Sequence, residues 1–145
     1  MEIYSIGFTQ KGAREFFDTV KANGIERLLD VRLNNTSQLA GFAKASDLPF
    51  FLHEICAAEY EHEPLLAPTQ DILDAFKKNK GSWDIYEEAF LALMRCRQVE
   101  LKLSKDSFLR RTVLLCSEVT PEHCHRRLVI QYLQQHWEGV TMRHL

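Results

Sequence analysis

The chain has 145 residues, of which 46% are hydrophobic and 26% are charged, and its formal net charge is −2. This composition predicts one folded domain, residues 1–145, with a sizeable core. The near-neutral balance excludes a generally basic nucleic-acid binder, although a local basic patch would still allow nucleic acid as a partner. No apolar run approaches the roughly 18 residues of a membrane span, and the first residues lack a signal-peptide pattern. We therefore expect a cytoplasmic protein with no membrane partner.

Short β-prone segments alternate with helical patterns from the start of the chain. Residues 3–6 predict a strand that ends at Gly7, and residues 27–31 predict the next strand. Between them, we expect Thr9 to cap a helix over residues 10–22. A strand, a helix and a strand in this order imply a right-handed crossover and parallel strands.

The middle of the chain predicts further helices around a short third strand at residues 59–62. One helix is capped by Ser46 or Asp47 and ends near residue 58, a second runs from Thr69 through residue 78, and a third covers residues 83–103. The apolar residues expected on their inner faces are Leu48, Phe51, Leu52, Ile55, Ile72, Leu73, Phe76, Ile85, Tyr86, Ala89, Phe90, Leu93 and Met94.

Residues 32–47 form a long predicted loop, because they are rich in Asn, Ser and Gly and lack periodicity. Long loops inside compact domains are often functional. This loop is either a lid, with Phe42 available to stack on a base, or a surface loop that Phe42 anchors.

The segment that carries most of the chemistry is residues 112–133, TVLLCSEVTPEHCHRRLVIQYL. Residues 112–116 predict a buried strand, while Thr120 and Pro121 suit the start of the next helix. Thiols, a carboxylate, imidazoles and guanidinium groups crowd the turn between these elements. In open α/β sheets, ligands bind in the crevice at this position, and the helix amino end favours anions and lowers the pKa of a nearby thiol.

With a last strand at residues 140–143, the elements predict a three-layer α/β fold, which is a mostly parallel sheet of about five strands with helices on both faces. Asp30 and Arg32 flank Val31 and should point to the same side of the chain. The pattern does not determine the strand order.

Several motifs in the chain resemble those of the family called domain of unknown function 488. They are Ser5-Ile6-Gly7, Asp30-Val31-Arg32, Ser37 with Phe42, Tyr60 with Pro64-Leu65, and above all Leu115-Cys116-Ser117-Glu118 followed by Cys124-His125-Arg126. Family members usually carry a proline after the second motif and glycines after the Pro-Leu pair, where this chain has Asn34-Asn35 and Leu66-Ala67. The resemblance implies an α/β sheet domain in bacteria or archaea, and it implies no established reaction.

The residues themselves favour an enzyme, or a degenerate enzyme, for a small anionic molecule such as a nucleotide or a phosphorylated metabolite. The expected catalytic residues are Cys124, as a thiolate nucleophile or redox centre, and Glu118 and His125, either of which would move protons. The expected ligand-binding residues are Gly7, Asp30, Arg32, Cys116 and Arg126, of which the two arginines would hold the anion. In the structural alternative, these charged side chains pair with one another.

Two other functions are open at this point. One is a non-catalytic module that binds nucleic acid or a nucleotide through the same crevice. The other is a zinc-binding protein, and the candidate ligands are Cys116, Glu118, His123, Cys124 and His125, with His53 or His62. Because no Cys-x-x-Cys or His-Glu-x-x-His spacing occurs, neither a metal site nor a particular cofactor is predicted. Cys56 and Cys96 lie in helical patterns and are expected to be small core residues.

Overall fold

The computed structural model describes residues 1–36, 41–118 and 120–145. Its strands are β1 Glu2–Gly7, β2 Arg27–Asp30, β3 Glu59–His62, β4 Thr112–Cys116 and β5 Thr141–His144. They form a five-stranded parallel sheet in the order β3-β2-β4-β1-β5. The α-helices are α1 Ala13–Ala22, α2 Leu48–Phe51, α3 Gln70–Lys77, α4 Trp83–Arg97, α5 Val99–Lys102 and α6 His125–His136.

Shorter helical turns connect these elements. They are the 3₁₀ turns Gly41–Ala43, Pro64–Leu66 and Lys105–Leu109 and a π turn, Leu52–Cys56, that continues α2. Within the described part of the chain, no helix combines the length and the hydropathy that a bilayer span needs.

The sheet is buried on both faces because its central strands are apolar at almost every position. Along β1, Ile6 belongs to the core on the α1 side, where it lies in the same cluster as Phe16. Ile3, three residues earlier on the strand, belongs to the core on the opposite face with Phe90 of α4 and Leu128 of α6. Full burial of such side chains contributes roughly 1.5–3 kcal/mol each. The predicted three-layer α/β fold with a parallel sheet is confirmed.

The chain leaves β1 and β4 towards opposite faces of the sheet, although these strands are neighbours. The helix after β1 covers one face and the helix after β4 covers the other. Their carboxyl ends therefore form the kind of divergence at which α/β sheets open a crevice. Here the segment after β4 crosses the end of β1, because the Thr9 amide donates to the Ser117 carbonyl at 3.2 Å. A Cβ on Gly7 would lie 1.7 Å from the Glu118 carbonyl oxygen, so only glycine fits under this crossing.

Helix α1 begins at Ala13, later than the predicted start at residue 10. The reason is that Thr9 does not cap the helix. Its hydroxyl donates to the Ser117 carbonyl, as its amide also does, so the segment is held against the end of β4. The inner face of α1 carries three buried residues, Phe16, Phe17 and Val20.

Helix α6 begins at His125, with Cys124 as its N-cap, whereas the sequence predicts Thr120 at that position. The residues before it form a tight turn, closed by the Cys124 amide and the Pro121 carbonyl at 3.3 Å. The Arg127 guanidinium also donates to the Pro121 carbonyl at 3.3 Å, which stabilises this turn. The later start brings both Cys124 and His125 into the interior.

The helix predicted over residues 83–103 is interrupted. Gln98 adopts a positive φ of 52° and its amide donates back to the Arg95 carbonyl, which ends α4 in a left-handed cap. Ile85 is 64% exposed and Cys96 is also exposed, so both predictions of core positions are wrong. Phe90 faces the core, and a residue five positions earlier lies about 140° away around a helix.

The loop before α2 is anchored by Phe42, whose ring centroid lies 5.4 Å from that of Phe16 and 5.7 Å from that of Phe17. This contact supports the surface-loop interpretation over a lid with a free aromatic ring. Residues 37–40, which include Ser37, lie outside the described residues. Ile55 is 39% exposed rather than inward, because the wider π turn moves it off the buried face of α2.

Replacing Gly7 with alanine tests the crossing after β4. We expect Gly7→Ala to lower the free energy of unfolding by roughly 3 kcal/mol, because the added methyl group meets backbone that has to move. Urea denaturation followed by circular dichroism measures this change. The matched control is Gly12→Ala, where nothing lies within 4 Å of the new Cβ. Equal stability of the two variants would contradict the proposed close packing.

Candidate functional site

Asp30 and Arg32 form a buried ion pair at the end of β2. The Arg32 Nε and Nη2 atoms donate to the two carboxylate oxygens of Asp30, each at 2.8 Å. Tyr60 donates its hydroxyl to the same carboxylate at 2.6 Å, and Arg32 Nη2 also donates to the Ala43 carbonyl at 2.7 Å. Asp30 and Arg32 therefore point to the same side, as predicted, but they satisfy one another.

Arg126 is completely buried beneath the start of α6. Its Nη1 atom donates to the Glu118 carbonyl at 2.7 Å and lies 3.8 Å from the Cys124 sulfur. Its Nε atom donates to the Ser5 hydroxyl at 3.3 Å. Because the guanidinium has no exposed surface, in this conformation it positions the loop and Cys124 rather than meeting a ligand.

His125 is held between the ends of two strands. Its Nε2 atom lies 2.7 Å from the Val31 carbonyl oxygen, which only accepts, so Nε2 must be the protonated nitrogen. The other nitrogen, Nδ1, faces the Cys116 sulfur at 3.6 Å. This nitrogen accepts the proton of a Cys116 thiol, and a protonated ring donates it back to the thiolate. The arrangement is that of a thiol and a base whose ring is oriented by a third group.

The thiol beside His125 is acidic. Burial alone raises the pKa of Cys116, but the hydrogen bond from Cys124 and the charge of His125 bring it well below its ordinary value. Burial lowers the pKa of His125, yet the charge of the Cys116 thiolate raises it overall. Burial and the neighbouring Cys116 raise the pKa of Cys124. These opposite shifts favour the thiolate on Cys116 and the proton on Cys124.

These groups form the floor of a cavity of about 180 Å³. The cavity lies at the carboxyl ends of β2 and β4, under α3 and the first turn of α4. At its rim, the Lys77 ammonium pairs with the Glu118 carboxylate, and both side chains are partly exposed. The lining residues are Arg32, Leu33, Asn34, Pro68, Leu73, Phe76, Lys77, Trp83, Tyr86, Cys116, Ser117, Glu118, His123, Cys124 and His125.

Aromatic rings build one wall of the cavity. Trp83 stacks on Tyr86 with ring centroids 4.9 Å apart, and on His123 with centroids 5.0 Å apart. Phe90 lies one helical turn further along α4, and its ring packs against the His125 ring with centroids 5.4 Å apart. Burial, together with the neighbouring Cys116, raises the pKa of Tyr86, so its hydroxyl remains protonated beside the thiolate. The wall offers an apolar surface to a flat ligand.

The cavity brings together part of the predicted site. Arg32, Cys116, Glu118, Cys124 and His125 line it. Gly7, Asp30 and Arg126 are outside this lining and act as packing or ion-pair partners behind it.

The sequence analysis did not assign the aromatic wall or Lys77 to the site. The available signal was the spacing of Trp83, Tyr86 and Phe90, which puts three large rings on one stripe of α4. The same spacing is equally typical of an ordinary core helix. Only the packing of α3 and α4 over the end of β4 distinguishes the two readings.

Among the described residues, one group could hold a metal ion, and it consists of Cys116, Cys124 and His125. Their sulfur and nitrogen atoms lie within 4.8 Å of one another. Two sulfurs, one imidazole and an open position are the donor set of some catalytic zinc sites. The other ligands considered from the sequence are outside this group: Glu118, His123, His53 and His62.

The sequence matches the family described as Domain of unknown function DUF488 over residues 12–133. The chain belongs to this family. The resemblance found in the sequence motifs is therefore confirmed, and the matched range contains every residue that lines the cavity. Comparisons with curated proteins and with solved structures gave no match. Membership of the DUF488 family carries no reaction with it, so the function has to be argued from the site.

Two substitutions test the ion pair at the end of β2: one removes the charge of the carboxylate and the other removes its tyrosine partner. We expect Asp30→Asn to cost about 3–5 kcal/mol of stability, because it leaves the buried Arg32 guanidinium without its counter-charge. Tyr60→Phe deletes the hydrogen bond to Asp30 and the weaker one that Asn35 donates to the Tyr60 hydroxyl at 3.3 Å, and it should cost about 2 kcal/mol. Both values come from urea denaturation. If Asp30→Asn were no less stable than Tyr60→Phe, Asp30 would not have the structural role described.

Proposed function

We propose that this DUF488 protein is an enzyme that transfers a group from a small anionic molecule to the Cys116 sulfur, with His125 as the proton carrier. The observation that carries the proposal is the His125 ring, fixed by the Val31 carbonyl and directed at Cys116 on the cavity floor. A nucleophile, a base and an orienting acceptor within contact distance are the parts that covalent catalysis needs.

The reaction step follows from the contact. The Cys116 thiolate attacks an electrophilic carbon or phosphorus atom of the ligand, and the bond to the leaving group breaks as the bond to sulfur forms. The leaving group takes the proton of the His125 imidazolium. Neutral His125 then removes a proton from water, the water oxygen attacks the adduct, and the bond to sulfur breaks. This step restores the thiolate and the imidazolium, and its net result is hydrolysis.

The proposal exchanges the roles that the sequence suggests for the two cysteines. Cys116 is the nucleophile because it contacts the base, and Cys124 keeps its proton and donates it towards Cys116. Glu118 retains a part as the partner of Lys77 at the rim rather than as the proton carrier. The Tyr86 side chain also lines the cavity.

The chemistry of the rim supports an anionic ligand with a flat part. Lys77 and His123 supply positive or polar groups at the edge of the cavity, and the rings of Trp83 and Tyr86 provide an apolar wall. A metabolite with a flat part and an anionic group, such as a nucleotide or a phosphorylated metabolite, fits this combination.

Nucleic acid is less well supported as a partner. The positive strip that it requires would include Arg32 and Arg126, which are 3% and 0% exposed. Both guanidinium groups are committed to acceptors inside the protein.

Metal binding is the second candidate, and the compact group of two sulfurs and one imidazole favours it. In this alternative, Cys116, Cys124 and His125 are ligands and the cavity supplies the open position. Elemental analysis of the purified protein separates the two functions. About one zinc or iron ion per chain in the native protein would support the metal site. In this case, Cys124→Ser should lose both the metal and the binding of small ligands.

Alkylation kinetics test the nucleophile. We expect iodoacetamide to modify Cys116 first, with a rate that falls much less on acidification from pH 9 than the rate of an ordinary thiol, because the lowered pKa keeps the thiolate populated. In urea-unfolded protein, the rate should fall about tenfold per pH unit below roughly 8.5. Peptide mapping by mass spectrometry assigns the modified residue.

Replacing the base sharpens this test. His125→Asn should slow the modification of Cys116 at pH 6 by roughly 100-fold, since the thiolate loses its counter-charge. His53→Asn is the matched control, because the His53 side chain is 80% exposed. A rate unaffected by His125→Asn would overturn the assignment of His125 as the partner of Cys116.

A thermal-shift screen tests the ligand class. We expect a nucleotide or a phosphorylated metabolite, at 100 times its dissociation constant, to stabilise the protein by about 2.7 kcal/mol. Lys77→Ala should abolish this shift. Lys78→Ala should not, because Lys78 is the neighbouring lysine, its side chain is 75% exposed and it is outside the cavity lining. Stabilisation by neutral flat molecules alone would argue against an anionic ligand.

A further inference from the structure

The cavity floor contains a second thiol that the proposed hydrolysis uses only as a hydrogen-bond donor. Cys116 ends β4, Cys124 caps α6, and both sulfurs face the same space. The two sulfurs and the His125 nitrogen lie within 4.8 Å of one another. A disulfide requires two sulfur atoms that can approach to bond length. Only one short loop separates Cys116 and Cys124 in the chain.

We propose that Cys116 and Cys124 form a redox pair, in which a small hydroperoxide oxidises Cys116 and Cys124 then closes a disulfide to it. The proposal extends the proposed function, since it relies on Cys116 being the nucleophile of the site. It assigns a modification site, and it gives the enzyme a reversible inactive state.

The first oxidation step uses groups already in contact. The Cys116 thiolate attacks the terminal oxygen of the hydroperoxide, the O–O bond breaks, and Cys116 becomes a sulfenic acid. The departing alkoxide takes the proton of the His125 imidazolium and leaves as an alcohol. Oxygen is reduced and sulfur is oxidised by two electrons.

The second step closes the bridge. Neutral His125 removes the Cys124 proton, the resulting thiolate attacks the Cys116 sulfur, and the S–O bond breaks. The hydroxide takes that proton from His125 and leaves as water. The sum is one thiolate, one thiol, one imidazolium and one hydroperoxide giving one disulfide, one neutral imidazole, one alcohol and one water.

The surroundings of Cys124 suit it to the resolving step. The Arg126 guanidinium lies 3.8 Å from the Cys124 sulfur, so a positive charge is in place when that thiol ionises. Cys124 is also at the amino end of a 12-residue helix, which stabilises a developing negative charge. The other cysteines are elsewhere, since Cys56 contacts the Phe17 carbonyl on the opposite face and Cys96 is exposed.

Mass spectrometry of peroxide-treated protein tests the proposal. With one equivalent of hydrogen peroxide, the native chain should lose two hydrogen atoms, and peptide mapping should place the disulfide between Cys116 and Cys124. A thiol reductant should reverse the change. Cys124→Ser should instead accumulate a sulfenic acid on Cys116 that dimedone traps. Cys56→Ser and Cys96→Ser, as controls, should still form the bridge.

The outcomes separate this inference from the proposed function. If iodoacetamide modifies Cys116 rapidly but peroxide gives a sulfinic acid and leaves Cys124 reduced, the redox pair is wrong and the nucleophile stands. If Cys116 reacts with neither reagent, the proposed nucleophile fails as well. A bridge to Cys56 or Cys96 would also overturn the pair. Because mapping uses the native chain, the test does not depend on the folding of a variant.

Discussion

The arrangement of the site depends on the position of one ring, that of His125. The residue begins α6, its Nε2 atom donates to the carbonyl of Val31 just beyond β2, and its Nδ1 atom meets the sulfur at the end of β4. A single imidazole thus joins three elements at one edge of the sheet. Because the carbonyl can only accept, this contact determines the tautomer as well as the direction of the ring. Phe90 packs against the same ring, so the core and the site share this residue.

The second constraint is the cost of burying charge. Arg32 and Arg126 are almost without exposed surface, and a buried cation without acceptors would cost several kcal/mol. Both therefore bind acceptors of the protein, the Asp30 carboxylate in one case and the Glu118 carbonyl in the other. Through these contacts, both arginines hold the strand ends and the loop in place. Lys77 is the more accessible cation, because almost half of its side chain is exposed at the rim, where its ammonium pairs with the Glu118 carboxylate.

The sequence predicted the elements better than their arrangement. Apolar runs and alternation indicated five strands, and the parallel sheet followed from the intervening helices. The insertion of β4 between β1 and β2 was not predictable, since pairing across the sheet depends on tertiary contacts rather than on local pattern. The late start of α6 was missed for a similar reason. Thr120 has a suitable cap side chain, yet the burial of Cys124 and His125 decides where the helix begins.

For the site, too, the sequence predicted some residues and could not predict others. Strand ends in a parallel sheet meet along one edge, and this rule brought Arg32, Cys116 and His125 to one cavity. Trp83 and Lys77 come from helices far along the chain, and no local feature marks them as neighbours of β4. Their contribution follows from how α3 and α4 pack over the sheet, which hydrophobic periodicity does not specify.

The choice between the two thiols is a matter of magnitudes. The sequence favoured Cys124, because a helix amino end and neighbouring cations stabilise a thiolate. The effect of the helix end is typically about 0.3–1 kcal/mol and at most about 2 kcal/mol. A protonated imidazole about 4 Å from a thiolate contributes of the order of 4 kcal/mol in a partly screened interior. Cys116 has that contact at 3.6 Å and also accepts the Cys124 proton. Burial and the neighbouring Cys116 raise the pKa of Cys124 overall, although the Arg126 guanidinium 3.8 Å from its sulfur acts in the opposite direction. The negative charge is therefore favoured on the sulfur at the end of the strand, and the proton on Cys124 at the helix cap.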